Sequence, residues 1–203
     1  MFTVKEKVIA TIEVERSKFI AILLPLPSVD EIKSELEVIR SDFPNARHYV
    51  YGAKTNDGAR SSDDGEPSGT AGRPLLNLLH THELNNVLLV VVRYFGGVKL
   101  GAGRLLRTYV EAGQAAINEA TIYELVKMKV VHVEVNYRDY EIINSQLDNL
   151  NASIDAIDYN ITVTFKLLSE NDLEKNLMAL TSGQAKIRRL EDEFTYKKVG
   201  NYD

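Results

Sequence analysis

The sequence predicts an α+β protein of two domains, and three observations lead to this prediction. Residues 87–92 form a continuous apolar run that is rich in β-branched side chains, too short for a helix and typical of a strand buried on both faces. A glycine-rich turn and a segment with helical periodicity, residues 105–120, follow this strand. Beyond residue 124 the predicted elements take the order β-α-β-β-α-β, which is the ferredoxin-like order.

The chain begins with a predicted hairpin and a predicted helix. Residues 3–14 alternate loosely and residues 18–24 are apolar, with a polar turn between them, which is typical of paired strands. Ser28 and Glu31 then form a capping box, in which each side chain can satisfy a free backbone amide at the start of a helix. An apolar stripe follows this box as far as Phe43-Pro44, so the helix is expected to end there.

The next part of the first half contains one long polar stretch between regular segments. Residues 48–54 alternate and predict a strand. Residues 55–72 are polar and glycine-rich and are interpreted as a loop without regular structure, which is uncommon in a compact domain unless the loop is functional or mobile. Pro74 suits the first turn of a helix that precedes the central strand. The predicted order up to residue 120 is therefore β-β-α-β-loop-α-β-α.

The second half is predicted to hold four strands and two helices. Asp139 is assigned as the cap of the first helix and Ser169 as the cap of the second. The change of pattern near residues 122–125 divides the chain into domains 1–123 and 124–203. The four strands are predicted at residues 126–137, 152–158, 161–168 and 185–196.

The composition limits the classes of protein to which the chain can belong. It has 203 residues, 44% of them hydrophobic. No window approaches the ~18 apolar residues of a membrane span. Charged residues near the N-terminus stand where a signal peptide needs its apolar core, and the chain has no cysteine, so a cytoplasmic protein without thiol chemistry is expected. Because the formal net charge is -5, any contact with nucleic acid must be a local basic patch.

The turn after the central strand is the first candidate site. Where a strand passes through a glycine-rich turn into a helix, free backbone amides and the positive end of the helix dipole suit an anion. The side chains of this turn are basic, with no acidic residue before Glu111. The alternative is that the glycines only allow a tight turn and the arginines pair with acids elsewhere, and both interpretations stay open. The glycines are Gly96, Gly97, Gly101 and Gly103, and the basic residues are Arg93, Lys99, Arg104 and Arg107.

Two nucleotide-binding motifs are absent from this turn. A Walker loop needs Lys-Ser or Lys-Thr after its second glycine, but Ala102-Gly103 follows Gly101. The dinucleotide fingerprint needs a third glycine where Leu106 stands. What remains is a phosphate-binding turn of a general kind, which suits an RNA backbone as well as a small phosphorylated ligand.

The polar stretch contains a second candidate site at residues 63–72. The carboxylates of Asp63, Asp64 and Glu66 lie within four residues and could hold Mg²⁺ through oxygen ligands. The serine, threonine and glycines that follow them could present donors to a phosphate at the start of the next helix. Two alternatives stay open, namely a solvated loop without a ligand and a structural loop whose acids pair with the arginines of the first site.

Single residues of the chain suggest one candidate for proton transfer and none for hydrolysis. Of the four histidines, His48 is the one considered for proton transfer, because it enters the strand that leads to the acidic loop. A pairing of His48 with Asp64 stays open. A nucleophile elbow at Ser68 would need glycine where Glu66 stands, so hydrolase chemistry is not supported.

The first half of the chain contains four distinctive motifs, namely Ala46-Arg47-His48, Asp64-Gly65-Glu66-Pro67-Ser68-Gly69-Thr70-Ala71-Gly72-Arg73-Pro74, Arg93-Tyr94-Phe95-Gly96-Gly97-Val98-Lys99-Leu100-Gly101 and Arg107-Thr108-Tyr109. In this order, the motifs resemble those of the IMPACT/YigZ family. The resemblance covers about the first 120 residues, and the motifs are far more specific than a lone glycine pattern. The second half is similar to the smaller C-terminal domain of the bacterial members, with weaker motifs.

The resemblance implies a fold for each domain and a field of function. It implies that the first domain has a ribosomal protein S5 domain 2-like fold and that the second is ferredoxin-like, of the type found in the last domain of elongation factor G. It also implies a connection with translation, because the eukaryotic members look like regulators of translation under amino-acid starvation, whereas the bacterial members have no settled activity. Because both folds host many functions, the fold alone does not decide the function.

The leading hypothesis is a cytoplasmic protein that modulates translation by binding RNA, the ribosome or a translation-related protein, without a chemical step of its own. No membrane partner and no DNA sequence specificity are expected, and no cofactor is required. The residues predicted to contact phosphate or nucleic acid are Arg93, Gly96, Gly97, Lys99, Gly101, Gly103, Arg104, Arg107, Ser68, Thr70 and Arg73.

The rival hypothesis is an enzyme or small-ligand binder that acts on a phosphorylated substrate. It would place Mg²⁺ on Asp63, Asp64 and Glu66, the phosphate on the turn at residues 96–104, and His48 as the base. A third interpretation is a module that binds only other proteins. The sequence leaves these three alternatives open.

Overall fold

The computed structural model describes residues 1–200, and the contacts within it form two compact units of mixed α/β structure. The first unit is Met1–Glu124 together with the chain from Lys197, and the second is Leu125–Tyr196. The last three residues of the predicted second domain lie outside the described residues. Within residues 1–200, no helix combines the length and apolar character that crossing a bilayer requires.

The first unit is built on a five-stranded antiparallel sheet with three helices. The spatial order of the strands is β2-β3-β6-β4-β5. The sheet strands are β2 (Val8–Val14), β3 (Ser17–Pro25), β4 (His48–Thr55), β5 (Gly58–Ser62) and β6 (Val87–Tyr94), after a short β1 (Phe2–Thr3). The helices are α1 (Ile32–Asp42), which follows a short 3₁₀ turn, α2 (Gly72–Thr81) and α3 (Ala102–Glu119).

The central strand β6 is buried on both faces, as its apolar run predicts. Val87, Leu89 and Val91 belong to the core beneath α2 and α3. The alternate residues, Leu88, Val90 and Val92, belong to the core on the α1 side. Because side chains alternate along a strand, the next residue of the first set is Arg93, which places a cation under α3.

Helix α2 lies unusually close to the sheet at Gly52 of β4. A β-carbon at residue 52 would lie 2.5 Å from the backbone nitrogen of Leu76 and 2.8 Å from its α-carbon. No side chain fits between the strand and the helix at this point. The glycine therefore sets how closely α2, and the loop that leads into it, approach the sheet.

The prediction of an unstructured loop at residues 55–72 is wrong in its first part. A tight turn after Thr55 leads into strand β5, which pairs antiparallel with β4 at the edge of the sheet. The sequence Gly-Ala-Arg-Ser-Ser lacks the apolar alternation that predicts strands, because an edge strand can expose its side chains to water. The segment without strand or helix is shorter, from Asp63 to Ala71.

The second unit follows the predicted order β-α-β-β-α-β, with one additional strand at its end, and its sheet has both helices packed on one face. Neighbouring strands are antiparallel in the order β10-β7-β9-β8, and β11 also pairs with β7. Side chains of both helices share a core with alternate residues of the strands. The elements are β7 (Ile122–Val135), α4 (Tyr137–Asn144), β8 (Ala152–Tyr159), β9 (Val163–Ser169), α5 (Glu174–Leu180), β10 (Lys186–Arg189) and β11 (Glu193–Gly200). The start of β7, up to Glu124, and the end of β11, from Lys197, belong to the first unit.

Three local predictions for this unit are wrong. Helix α4 is capped by Asn136, whose side chain accepts the backbone N–H of Asp139, so Asp139 lies in the first turn and is not the cap. Ser169 ends β9, and its hydroxyl donates to the carbonyl of Asn151 and does not cap α5. The last predicted strand is two strands, β10 and β11, because the chain leaves regular structure between residues 189 and 193.

We predict that Gly52→Ala lowers the free energy of unfolding by about 1–3 kcal/mol, because the added methyl group must push α2 away from β4. The matched control is Gly103→Ala, which lies in the first turn of α3 with open space around its α-carbon. This control should be neutral or raise stability by up to about 1 kcal/mol. Urea denaturation measures both variants, and equal stability of the two would contradict the close approach at Gly52.

Candidate functional site

The acidic loop and the glycine turn of the sequence meet at one pocket in the first unit. Its volume is about 410 Å³. The loop supplies Gly65, Glu66 and Pro67, while the end of β6 and the start of α3 supply the opposite wall. The polar and charged side chains that line it are Arg47, His48, Glu66, Arg93 and Lys99, and the apolar ones include Phe95, Leu100 and Leu105.

The floor of the pocket is organised around the buried carboxylate of Glu66. Its Oε1 accepts a hydrogen bond from Arg93 Nη1 at 2.6 Å and another from the hydroxyl of Tyr109 at 2.7 Å. The Glu66 and Arg93 side chains are each only 5% exposed. Burial, followed by the neighbouring Glu66 carboxylate, raises the pKa of Tyr109 far above its usual range, so the phenol stays protonated and donates.

The guanidinium of Arg93 is packed between aromatic rings and the carboxylate. Its central carbon lies 5.2 Å from the ring centre of Phe19 and 5.4 Å from that of Phe95, distances at which a cation is attracted to the ring face. Its Nε is buried and has no hydrogen-bond partner among the described residues. Arg93 is thus an internal side chain and not the surface phosphate contact that its sequence position predicted.

His48 is held in one orientation at the edge of the floor. Its Nδ1 lies 2.8 Å from the backbone carbonyl of Asp64, which can only accept, so Nδ1 carries the proton. In the neutral ring, Nε2 is therefore an unprotonated acceptor. It lies 3.9 Å from Oε2 of Glu66. The predicted pairing of His48 with Asp64 is made through the backbone of Asp64 and not through its carboxylate.

The acidic loop does not gather its carboxylates around a metal site. Asp63 accepts the backbone N–H groups of Gly69, Ala71 and Gly72 at 2.8–3.0 Å, and so caps the start of α2. Asp64 accepts the N–H of Tyr49 and pairs with Arg40. No group of three or more metal-binding side chains is arranged around a common point within residues 1–200. The donor set therefore does not fit the predicted Mg²⁺ ion.

The loop also leaves little room for the phosphate contacts predicted in it. Asp63 already occupies the amides of Ala71 and Gly72 at the start of α2, where an external anion would otherwise bind. The buried hydroxyl of Thr70 donates to the carbonyl of Pro67 at 2.6 Å. Ser68 and Arg73 are exposed but are not among the residues that line the pocket.

The start of α3 keeps the features that suit an anion. Gly101 precedes the helix with φ at +74°, a conformation that favours glycine. Because glycine has no side chain, the cap position leaves the first backbone amides of α3 without a side-chain acceptor. The first turn of α3 has no acidic residue. Gly101 and Ala102 line the pocket, and the exposed residues Lys99 and Arg47 stand beside them. The first-turn amides, the helix dipole and two cations thus lie at one opening.

The remaining residues of the predicted turn have other positions. The N–H of Gly96 donates to Ser17 Oγ at 3.0 Å, and a β-carbon there would overlap the backbone of Arg16, so this glycine serves packing. Arg104 is exposed and pairs with Glu15 at 2.8 Å. Arg107 lines a separate groove on α3. Gly97 and Gly103 are exposed. The four predicted basic residues therefore do not form one surface.

The structure adds site residues that sequence reasoning did not assign a role. Tyr109 belongs to the apolar stripe of α3, and no local pattern shows that its hydroxyl reaches Glu66. Tyr109, Arg47 and Phe95 all lie in the motifs that resemble the family, and this resemblance is the one signal that could have found them. Their place in the pocket depends on the pairing of β4 with β6, in which His48 is opposite Arg93.

Comparisons with known proteins match the part of the chain that builds the pocket. The family model described as the Impact N-terminal domain matches residues 15–117. The chain is 34% identical to the IMPACT family member YvyE of Bacillus subtilis, covering 96% of this chain and 92% of that protein. It is 31% identical to the IMPACT family member YigZ of Escherichia coli, covering 76% and 78%.

A solved structure is also similar along nearly the whole chain. It is described as the crystal structure of a hypothetical protein, and it matches with a TM-score of 0.59 and 25% sequence identity. The match covers 95% of this chain and 98% of that one. This description gives no function for the matched protein.

We predict that Arg93→Met destabilises the protein by about 3–5 kcal/mol, because it leaves the Glu66 carboxylate buried without its cation. The double variant Arg93→Met with Glu66→Gln should recover much of this loss, since no buried charge is then left unpaired. Thermal or urea unfolding of the two variants beside the parent protein makes the comparison. If the double variant is no more stable than the single one, the cost does not come from the charge of Glu66.

Proposed function

Because this chain belongs to the IMPACT family, we propose that it acts in translation by binding RNA, free or within the ribosome, at the opening where α3 begins, without a chemical step. The observation that carries the proposal is the uncapped start of α3 beside Lys99 and Arg47. Backbone amides at a helix start bind phosphate oxygens, and lysine and arginine are the side chains that neutralise an RNA backbone.

The charge of the opening supports a local contact with a polyanion. The chain as a whole is acidic, with a formal charge of -5. Lys99 and Arg47 form no ion pair with any residue in the described part of the chain, whereas Arg93 and Arg104 are neutralised by Glu66 and Glu15. Both cations at the pocket opening are therefore available to a ligand, and the contact should involve few phosphates.

The architecture of each unit is consistent with a role in translation. We assign the first unit to the ribosomal protein S5 domain 2-like fold, with helices on both faces of its sheet. The antiparallel order β10-β7-β9-β8, built from a β-α-β-β-α-β chain, supports a ferredoxin-like second unit. Both folds occur in proteins of translation, as the family resemblance implies, and a cytoplasmic location follows from that role.

A small phosphorylated ligand is a second candidate, favoured by the shape of the pocket. A volume of about 410 Å³ falls within the range of small-molecule sites, roughly 300–1,000 Å³. The version of this candidate that uses Mg²⁺ lacks a converging set of carboxylates. A ligand held by amides and cations alone needs no metal.

We predict that Lys99→Ala weakens binding to a structured RNA with single-stranded ends and lowers its salt dependence. Removing one phosphate contact should reduce the slope of log K against log salt by about 0.9 on duplex or about 0.7 on single strands. Filter binding from low to moderate salt measures both quantities. The matched control is Lys33→Ala, an exposed lysine of α1 on the other face of the sheet, which should bind like the parent. No RNA binding by the parent protein at low salt would exclude the proposal.

A further inference from the structure

The floor of the pocket presents two hydrogen-bond acceptors that lack donors. Oε1 of Glu66 accepts hydrogen bonds from Arg93 and from Tyr109. Oε2 accepts no hydrogen bond from any of the described residues. Nε2 of His48 is the second acceptor when the ring is neutral, because Nδ1, 2.8 Å from the Asp64 carbonyl, then carries the single ring proton. Neither acceptor has a donor within the described part of the protein.

The distance between these two acceptors indicates which ligand group can donate hydrogen bonds to both. At 3.9 Å, Oε2 of Glu66 and Nε2 of His48 are too far apart for a direct hydrogen bond. A single nitrogen with two hydrogens, placed between them, can donate to both. A ligand oxygen without a hydrogen would instead face two lone pairs and be repelled. Both atoms are open to the pocket, because Arg93 Nε is the one fully buried side-chain atom without a partner among the described residues. An amino group that enters the pocket can therefore reach both acceptors and replace the hydrogen bonds of solvent.

The charges of the floor favour a neutral amino group over a cation. The carboxylate of Glu66 is already neutralised by Arg93 at 2.6 Å, and the protonated phenol of Tyr109 adds no charge. A second cation would therefore lie beside the Arg93 guanidinium without a free counter-charge. An amino group on an aromatic ring is uncharged and donates two hydrogen bonds.

The rest of the pocket suits a ring that carries a phosphate. Phe95, Leu100 and Leu105 provide an apolar wall against which a planar base can pack. The guanidinium of Arg47 lies over the Phe95 ring, 5.4 Å from its centre, and offers a further planar surface to the base. The start of α3 and Lys99 provide the phosphate contact at the opening. The buried acceptors and the phosphate contact are thus separate features of one pocket.

We propose that the pocket binds one nucleotide whose base carries an exocyclic amino group, with the phosphate at the start of α3 and the amino group between Glu66 and His48. This inference rests on the proposed function and specifies which nucleotides the site accepts: cytidine, adenosine and guanosine, in preference to uridine. The nucleotide is either free or an unpaired residue of an RNA chain. His48 and Glu66 determine specificity, and Lys99 supplies affinity that does not depend on the base.

The test compares two ligands that differ at the amino group. Isothermal titration with CMP and UMP measures the free nucleotides, and anisotropy with short oligocytidylate and oligouridylate measures RNA. Uridine presents a carbonyl oxygen where cytidine presents the amino group. Binding of the cytidine ligands should be roughly tenfold tighter or more, as expected for a paired contact to a base edge. A preference for cytidine over uridine that occurs only in the oligonucleotides means that the natural ligand is RNA. The same preference in the free nucleotides as well means that a single nucleotide is sufficient for recognition.

Two variants separate recognition of the base from recognition of the phosphate. His48→Ala should reduce the preference for CMP over UMP while retaining the binding of UMP. Lys99→Ala should weaken the binding of CMP and of UMP by the same factor and leave the preference for CMP over UMP unchanged. Should His48→Ala fail to fold, as judged by its circular dichroism, the comparison of CMP and UMP on the parent protein remains decisive.

The outcomes distinguish this inference from the proposed function. Equal affinity of the parent protein for CMP and UMP, and for the two RNAs, overturns the assignment of the floor but leaves RNA binding through Lys99 intact. An unchanged preference in a folded His48→Ala variant also overturns it. Absence of binding to all four ligands at low salt overturns both proposals.

Discussion

The hydrogen-bonded pair of Arg93 and Glu66 is the constraint on which the rest of the site depends. Arg93 comes from the end of the most buried strand, and Glu66 comes from a loop without regular structure. Their contact at 2.6 Å, with the hydroxyl of Tyr109 on the same oxygen, joins the loop, the central strand and α3 at one point. The position of His48 and the two open acceptors follow from this junction.

A buried ion pair of this kind fixes the positions of its two side chains but adds little to the stability of the protein. Desolvation of the two charges offsets most of their attraction, and an apolar replacement of similar size is often as stable. The pair instead aims one carboxylate oxygen inward and leaves the other facing the pocket. The carboxylate of Asp63 likewise has a structural role. It accepts the backbone amides of Gly69, Ala71 and Gly72, and an external anion cannot bind to these amides at the same time.

Much of the fold could be predicted from the sequence, because periodicity and caps are local signals. The central strand, the hairpin and the long helix α3 follow from patterns of burial that the residues themselves carry. The edge strand β5 could not be predicted, since its stability comes from pairing with β4 and not from an apolar pattern. The sequence suggested that the acids of the loop could pair with the arginines of the glycine-rich turn. The ion pair between Glu66 and Arg93 confirms this for one acid. The sequence could not show that Arg104 and Arg107 point away from Lys99, which depends on the rotation of α3.

The most direct measurement of the central claim is an NMR titration of the ¹⁵N-labelled protein with cytidine-rich RNA. Our account predicts saturable shifts of the backbone amides of Gly101, Ala102 and Gly103, together with the ring signals of His48, at one common dissociation constant. Shifts confined to other surfaces, with these amides and His48 unchanged at saturation, would contradict it.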